Sequence, residues 1–414
     1  MTHENSSLLA ALAGATEDRI IFDLTAIEER YDSLLRELPG TSVRFAMKAC
    51  PVDEVLACLV NKGSGIDAAS LNEITQAVES GVAVERIHYG NTVKSDRDIA
   101  AAHRLGVRDF ATDSLEDVAA IAAHAPGSRV FCRLATDGAG ALWGLSNKFG
   151  CSPEDAVAVL ERARATGLRP AGLSVHVGSQ QMTAGAWRRA FEQLLDMLGV
   201  LGERGMTPEY INLGGGLPAL GYLDKRGRPL DPPIDKIFAV VREGMQQCRA
   251  VAGEGLRFVM EPGRHLVADA GAVRAHVSRL STRHTPDGAT HRWLYLSCGK
   301  FNGLYEMDEL QYRLVFPTHP AAGRGAGPGT GFVHATVAGP TCDSDDAYSR
   351  EHSQVAVPEA VQSGDPVWVL SSGAYAVSYT TQGFNGFSPL PYACIRGAGR
   401  PAPDPDPAAE GGVR

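Results

Sequence analysis

Several features are missing from this 414-residue chain, and each absence narrows its role. No apolar run approaches the roughly 20 residues that a membrane-spanning helix requires, so no membrane partner is expected. Positive charge is not in excess: the net charge of -9 argues against nucleic acid or an anionic membrane surface as partner and mainly favours solubility. The eight cysteines (Cys50, Cys58, Cys132, Cys151, Cys248, Cys298, Cys342, Cys394) form no CxxC pair and no disulfide-like cluster. Met1-Thr2-His3-Glu4 does not begin a secretory leader, so free thiols in a reducing cytoplasm are the expectation. No internal repeat stands out beyond an alternation of strand and helix. What the chain does have is apolar material for a sizeable core, 44% hydrophobic against 21% charged residues. Its length implies two domains, the larger of which could be a full α/β barrel.

Residues before about Thr25 read as a short leader with one strand, Arg19-Ile20-Ile21-Phe22. From there to about Glu261, periodicity predicts strands over 43–47, 65–67, 86–89, 109–111, 130–134, 172–176, 210–213 and 258–261. Helical patterns fall between them, over 70–80, 95–105, 114–124, 153–165, 184–205 and 235–252. Strands separated by helices in this number are what a (β/α)8 TIM barrel requires. A doubly wound open sheet is the alternative, but it needs a chain reversal that is not evident. The strand ends carry polar or small residues, namely Lys48, Asp67, Asn91, Arg133, His176, Gly214 and Glu261, as a site-bearing barrel face should. After Arg264 the texture turns to β, with short strands over 272–277, 293–296, 334–337 and 366–370 bounded by Gly, Pro and Asp. The expected layout is an α/β barrel over 25–265, a C-terminal β-sandwich or β-barrel domain built from 1–24 and 266–397, and a disordered tail over 398–414. The glycine-rich stretch 317–331 reads as a mobile loop.

Lys48 closes the first barrel strand, in the layer where such enzymes keep their chemistry. In a partly desolvated pocket its amine would lose a proton easily enough to form a Schiff base, although a lysine closing a strand is by itself more simply a surface residue. Asn212-Leu213-Gly214-Gly215-Gly216 lets backbone N–H groups approach an oxyanion, and is otherwise a tight turn. Glu261-Pro262-Gly263-Arg264 offers a carboxylate for a ring nitrogen and a cation for a phosphate, or a surface ion pair worth little. His176-Val177-Gly178-Ser179 could stack an imidazole on a flat ring and bring a hydroxyl to a phosphate; a packed, hydrogen-bonded histidine is the plainer reading. Gly339-Pro340-Thr341-Cys342-Asp343 presents a thiol beside a carboxylate, or a small buried cysteine beside a turn-capping Asp. Gly373-Ala374-Tyr375 and Phe384-Asn385-Gly386-Phe387 add aromatics, for which core packing is the usual explanation.

Taken in order, and with Gly65-Ile66-Asp67-Ala68-Ala69-Ser70, these motifs resemble the ornithine/diaminopimelate decarboxylase family from about Ile20 to about Ile395. That family consists of pyridoxal-phosphate enzymes with an alanine-racemase-like barrel and a C-terminal β domain. The cysteine and Phe-Asn-Gly-Phe motifs resemble its ornithine/lysine branch; the diaminopimelate branch would be expected to carry Glu-Ser-Gly-Asp after the cysteine, where this chain has Asp343-Ser344-Asp345-Asp346. The resemblance implies that Lys48 holds pyridoxal 5'-phosphate, that Glu261 pairs with its pyridine nitrogen and that His176 stacks on the ring. It further implies phosphate binding by Ser179, Gly215, Gly216, Arg264 and Tyr375, with Asp67 near the ring or Lys48 and Glu73 as a supporting carboxylate. Cys342 would reprotonate Cα after CO2 leaves, and Asp343 would meet the substrate's distal amine, with Phe384 beside it. A homodimer with two shared sites follows, because the family's cysteine loop reaches into the neighbouring subunit. No metal is implied.

One departure concerns Leu296-Ser297-Cys298-Gly299-Lys300-Phe301, where relatives acting on ornithine or lysine carry an aspartate just ahead of the glycine. Losing one of two carboxylates around a buried ammonium costs roughly a few kcal/mol, enough to change specificity. Asp345, Asp346 or Glu306 could compensate. Otherwise the substrate is a non-standard or modified amino acid of specialised metabolism rather than a precursor of polyamines. Trp143, in the stretch 142–149, is expected to border the site. A racemase would need a catalytic tyrosine opposite the lysine, and a catalytically inactive regulator has no use for Lys48, His176, Glu261, Arg264 and Cys342 together.

Overall fold

The computed structural model describes residues 5–144, 148–284, 286, 288–319, 331–349, 354–397 and 400–401. Two units emerge from the way the chain folds on itself, one made of Glu28–Leu220 and Asp231–Leu266, the other of Met1–Ile27, Gly221–Leu230 and Val267–Arg414. The stretch Gly221–Leu230, which the sequence places in the barrel, departs from it: Leu223 bridges to Gln311 and turns back to Pro229.

In the first unit the alternating strands close on themselves. They are β1 (Thr41–Ala46), β2 (Gly65–Ala68), β3 (Ile87–Tyr89), β4 (Asp109–Thr112), β5 (Arg129–Arg133), β6 (Arg169–Ser174), β7 (Tyr210–Asn212) and β8 (Arg257–Met260). All pair in parallel with their sequence neighbours, and β8 returns to β1 with Phe258 opposite Thr41 and Met260 opposite Val43, making a closed eight-stranded barrel. Ala111, Phe131, Ala171, Tyr210 and Val259 fill part of its interior. Deeper polar groups are satisfied there too: Tyr210 donates its hydroxyl to Asp109 at 2.8 Å, and Arg44 pairs with the same carboxylate at 3.1 Å.

The surrounding helices start where the sequence supplies caps. Ser70, Ser95, Ser114, Ser152 and Thr183 each accept the N–H three residues on, satisfying one orphan donor of the first turn. Two helices go beyond the sequence expectation, Leu24–Glu37 before β1 and Asp53–Asn61 between β1 and β2. A short antiparallel pair, Ala141–Trp143 with Ser179–Gln181, also has no counterpart in the periodicity.

The second unit centres on the long strand Gly271–His284, which pairs with Arg19–Asp23, Thr290–Leu296 and Pro366–Leu370 in a nine-stranded sheet. Arg19–Asp23 also lies parallel to Tyr392–Arg396, so the N-terminal strand is part of this sheet. The residues ahead of it form a helix, Ser6–Gly14, rather than a leader. Asn5 caps that helix through the Leu8 N–H at 3.0 Å and donates to Asp23 at 2.9 Å. Leu8 and Leu12 bury themselves against Ile21, Ala272, Leu370 and Ile395. Most of the glycine-rich loop (320–330) and nearly all of the expected tail (398–399 and 402–414) lie outside the described residues. Among the described residues no helix is long and apolar enough to cross a membrane.

Candidate active site

Lys48 rides on a single 3-10 turn, Met47–Ala49, immediately after β1, with its side chain exposed. The turn is held against the end of β8: Ala46 N–H donates to Pro262 O at 3.3 Å, and a Cβ on Gly263 would sit 2.8 Å from that of Ala49. Barrel closure thus brings Lys48 to Glu261-Pro262-Gly263-Arg264.

The glycine turn after β7 lies on the other side of β8. Gly214 and Gly216 hold φ of +64° and +109°, a left-handed backbone that favours glycine. Gly215 is required by space instead, since a Cβ there would lie 2.9 Å from Glu261 O and 3.4 Å from His176 Cε1. Gly214 O accepts the Glu261 N–H at 2.8 Å, which latches the turn to the end of β8. Arg264, only 4% exposed, donates to Ser179 Oγ at 3.2 Å. The Trp143 ring covers its guanidinium at 4.3 Å, so this residue does border the site; residues 145–147 of the same loop lie outside the described residues. A buried guanidinium, a hydroxyl and glycine N–H groups make a cup suited to a dianion.

His176 follows β6 and is partly buried, with its Nδ1 out of contact with water. Burial, then the charges of Arg133 and Lys48, push its pKa down to about 3, so the ring is neutral at physiological pH. Asp67 lies one residue before the end of β2, at 5% exposure. Burial alone would raise its pKa, but the His88 hydrogen bond and the Lys48 and Arg133 charges outweigh it, and the carboxyl is held below the usual range. Glu73 feels the charges of Asp67 and Lys48 and also has a local partner. Its Oε2 accepts the Ala69 N–H beside the Ser70 cap, so it braces the start of the helix Leu71–Glu79, and burial raises its pKa.

Sequence reasoning gave no role to three residues at this mouth, although Arg133 stood among the polar strand ends and Asn212 opened the glycine motif. Asn212, at the end of β7, donates its amide to Glu261 Oε1 and accepts the Gly214 N–H at 2.9 Å. Arg133 at the end of β5 feels Glu261, Asp113 and Asp67, while burial lowers its own pKa. His88 on β3 is fully buried, with Nε2 3.0 Å from Asp67 Oδ1 and 2.8 Å from Glu261 Oε1. The polar ends of β5 and β7 were a usable signal for the first two. A histidine between Ile87 and Tyr89 gave none.

The second unit holds the other expected residues. Cys342 is exposed, and its N–H donates to Asn385 Oδ1 at 2.8 Å, which joins the cysteine turn to the Phe-Asn-Gly-Phe motif. Phe384, 38% exposed, packs on Phe301 with ring centroids 4.8 Å apart. Asp343 is exposed and caps the Asp345 N–H. Asp346 cannot compensate for a missing substrate carboxylate: it is 2% exposed and committed to the Thr341 N–H and hydroxyl and the Lys300 N–H. Of the pair at the family's aspartate position, Ser297 accepts the His276 N–H at 2.9 Å and keeps some exposure. Cys298 is wholly buried, its thiol pKa pushed far up by burial, so it offers no surface to a substrate. Tyr375 holds a left-handed φ of +64°, with its ring 5.4 Å from that of Tyr379.

A family profile described as the pyridoxal-binding domain of pyridoxal-dependent decarboxylases matches residues 24–268. A lysine/ornithine decarboxylase of Selenomonas ruminantium is 30% identical over 371 residues, 89% of this chain and 87% of that protein. A diaminopimelate decarboxylase of Zymomonas mobilis is 26% identical over 374 residues, 86% and 83% of the two chains. Among solved structures, a Vibrio vulnificus lysine/ornithine decarboxylase complexed with putrescine superposes with a TM-score of 0.78 at 26% identity, covering 94% of this chain and 96% of that one. The residues at the barrel mouth fit pyridoxal 5'-phosphate: an anion cup with a buried cation, a lysine on the adjacent turn, a neutral imidazole and a carboxylate anchored at one oxygen.

Proposed function

The chain belongs to the pyridoxal-dependent decarboxylases, and from that premise we propose that it removes the α-carboxylate of a basic L-amino acid of the ornithine or lysine type as CO2, leaving a diamine. The observation that carries this reading is the convergence of Lys48, Glu261, Arg264 and His176 at the mouth of one barrel, together with the exposed Cys342-Asp343 turn. Bound pyridoxal phosphate supplies an electron sink for the bond between Cα and the carboxylate.

This chain's own residues do the rest. Lys48 offers its amine as the cofactor's covalent anchor. Arg264, Ser179 and the N–H groups of Gly215 and Gly216 hold the phosphate, joined by Tyr375. His176, held neutral, would pack on the ring without adding a charge that would compete with Glu261. Glu261 would pair with the ring nitrogen and hold a proton there, which would strengthen the pull on electrons. Cys342 then delivers a proton to Cα, and Asp343 receives the distal ammonium. Cys342 and Asp343 serve the site of a second copy, so the working unit is a homodimer in the cytoplasm. The second reading is decarboxylation of a modified amino acid, favoured by Ser297 and the buried Cys298 where a substrate carboxylate is expected. CO2 release measured across a panel of amino acids separates the two: turnover of ornithine or lysine supports the first, and none with ornithine, lysine or arginine rejects it.

A further inference from the structure

The cluster at the base of the barrel mouth has more in it than the cofactor's carboxylate partner requires. Asp67 and Glu261 come from β2 and from the end of β8, and both lie within hydrogen-bonding distance of one buried nitrogen, His88 Nε2. Two carboxylates so placed repel one another unless a donor lies between them. The opposite ring nitrogen, Nδ1, is buried with no hydrogen-bond partner among the described residues, so Nε2 alone meets the carboxylates, and their pull favours a proton on it. Nε2 therefore carries the proton and donates to both carboxylates. Gly90 makes the room: a Cβ there would overlap the Asp67 carboxylate and come 3.4 Å from His88 Nε2. The ring packs tilted against Phe131, with centroids 5.1 Å apart.

Glu261 is held from a second direction. The Gly214 N–H occupies Asn212 Oδ1 at 2.9 Å, so the Asn212 amide nitrogen has to face Glu261 Oε1. Both His88 and Asn212 thus bond the same oxygen. A metal is a poor alternative occupant, because Oε1 already takes an amide N–H and both carboxylates feel the Arg133 guanidinium.

We propose that His88 is a positioning residue: by bridging Asp67 and Glu261 it fixes the rotation of the Glu261 carboxylate, leaving Oε2 as the oxygen for the pyridine nitrogen. This rests on the reading that Glu261 faces that nitrogen. The test is a titration of pyridoxal phosphate into the folded full-length chain, followed by absorbance at the visible edge, for wild type, His88→Leu, His88→Gln and Glu261→Gln. His88→Leu, which keeps the volume but removes the donor, should weaken cofactor binding about tenfold or more, the size of one lost charge-assisted hydrogen bond. It should also move the absorbance maximum. His88→Gln, whose amide still donates, should recover most of the affinity. In a Glu261→Gln background the His88→Leu effect should shrink to less than twofold, since the group being oriented has changed. Wild-type affinity and spectrum in His88→Leu would overturn the proposal, as would His88→Gln behaving like His88→Leu. An undiminished His88→Leu effect in the Glu261→Gln background would do the same. If Glu261→Gln alone leaves binding and spectrum unchanged, the reading of Glu261 fails instead, and the two failures are told apart. Should His88→Leu not fold, the comparison of His88→Gln with wild type and its kcat/KM split decides.

Discussion

His176 and His88 occupy the same barrel mouth in opposite electrostatic situations. Around His176, burial and the positive charges of Arg133 and Lys48 disfavour a proton. Around His88, burial and Arg44 also disfavour it, but the bonds to Asp67 and Glu261 outweigh them and its pKa is raised. The His176 pKa of about 3 has a consequence for stability. An unfolded chain takes up a proton at this histidine below about pH 6.5, which the folded chain refuses until about pH 3. His176 therefore costs increasing stability as pH falls through that window. The melting temperature of His176→Phe should fall less between pH 7 and pH 5 than that of wild type. Parallel losses in the two chains would mean that His176 is not held neutral.

At the scale of elements, the site is a set of latches between the ends of successive strands. β6 meets β7 where Val175 N–H donates to Asn212 O at 3.0 Å, and the glycine turn meets β8 through Glu261 N–H. Asn212 is the joint of this arrangement, since it serves Gly214 and Glu261 at once. Asn212→Leu leaves a buried N–H unpaired and should destabilise the chain by about 1–3 kcal/mol. A lower denaturant midpoint with reduced cofactor affinity is expected; an unchanged midpoint would remove Asn212 from this role. The barrel itself was legible in the sequence, because its strands are short apolar runs and most are followed by an amphipathic helix, five of them opened by a Ser or Thr cap. The residues that hold the cluster together were not. Ile87-His88-Tyr89 carries no local sign that its histidine faces Asp67 and Glu261, which only barrel closure brings to it. The helix Ser6–Gly14 was hidden for a similar reason: its burial depends on strands that come more than 200 residues later.

At the scale of the molecule, the residues assigned to one reaction belong to two units, with Lys48 and Arg264 in the barrel and Cys342 and Asp343 in the β unit. The proposed homodimer makes the pairing intermolecular. Equal mixing of inactive Lys48→Ala and Cys342→Ala chains should then restore roughly a quarter of the sites, because half of the dimers are mixed and each of those carries one intact site. No recovery after demonstrated subunit exchange would argue for sites contained within one chain. The turn that presents Cys342 also sets how the protein ages. Of the eight cysteines only Cys342 stands exposed; Cys151 is half-covered and the others are buried. Wherever a second copy does not cover it, the sulfur proposed to give up a proton in every turnover thus also belongs to the cysteine most open to peroxide. Its first oxidation product can be returned by thiols, but the higher acids cannot, so the working life of the enzyme is tied to the reducing power of its surroundings through a single atom.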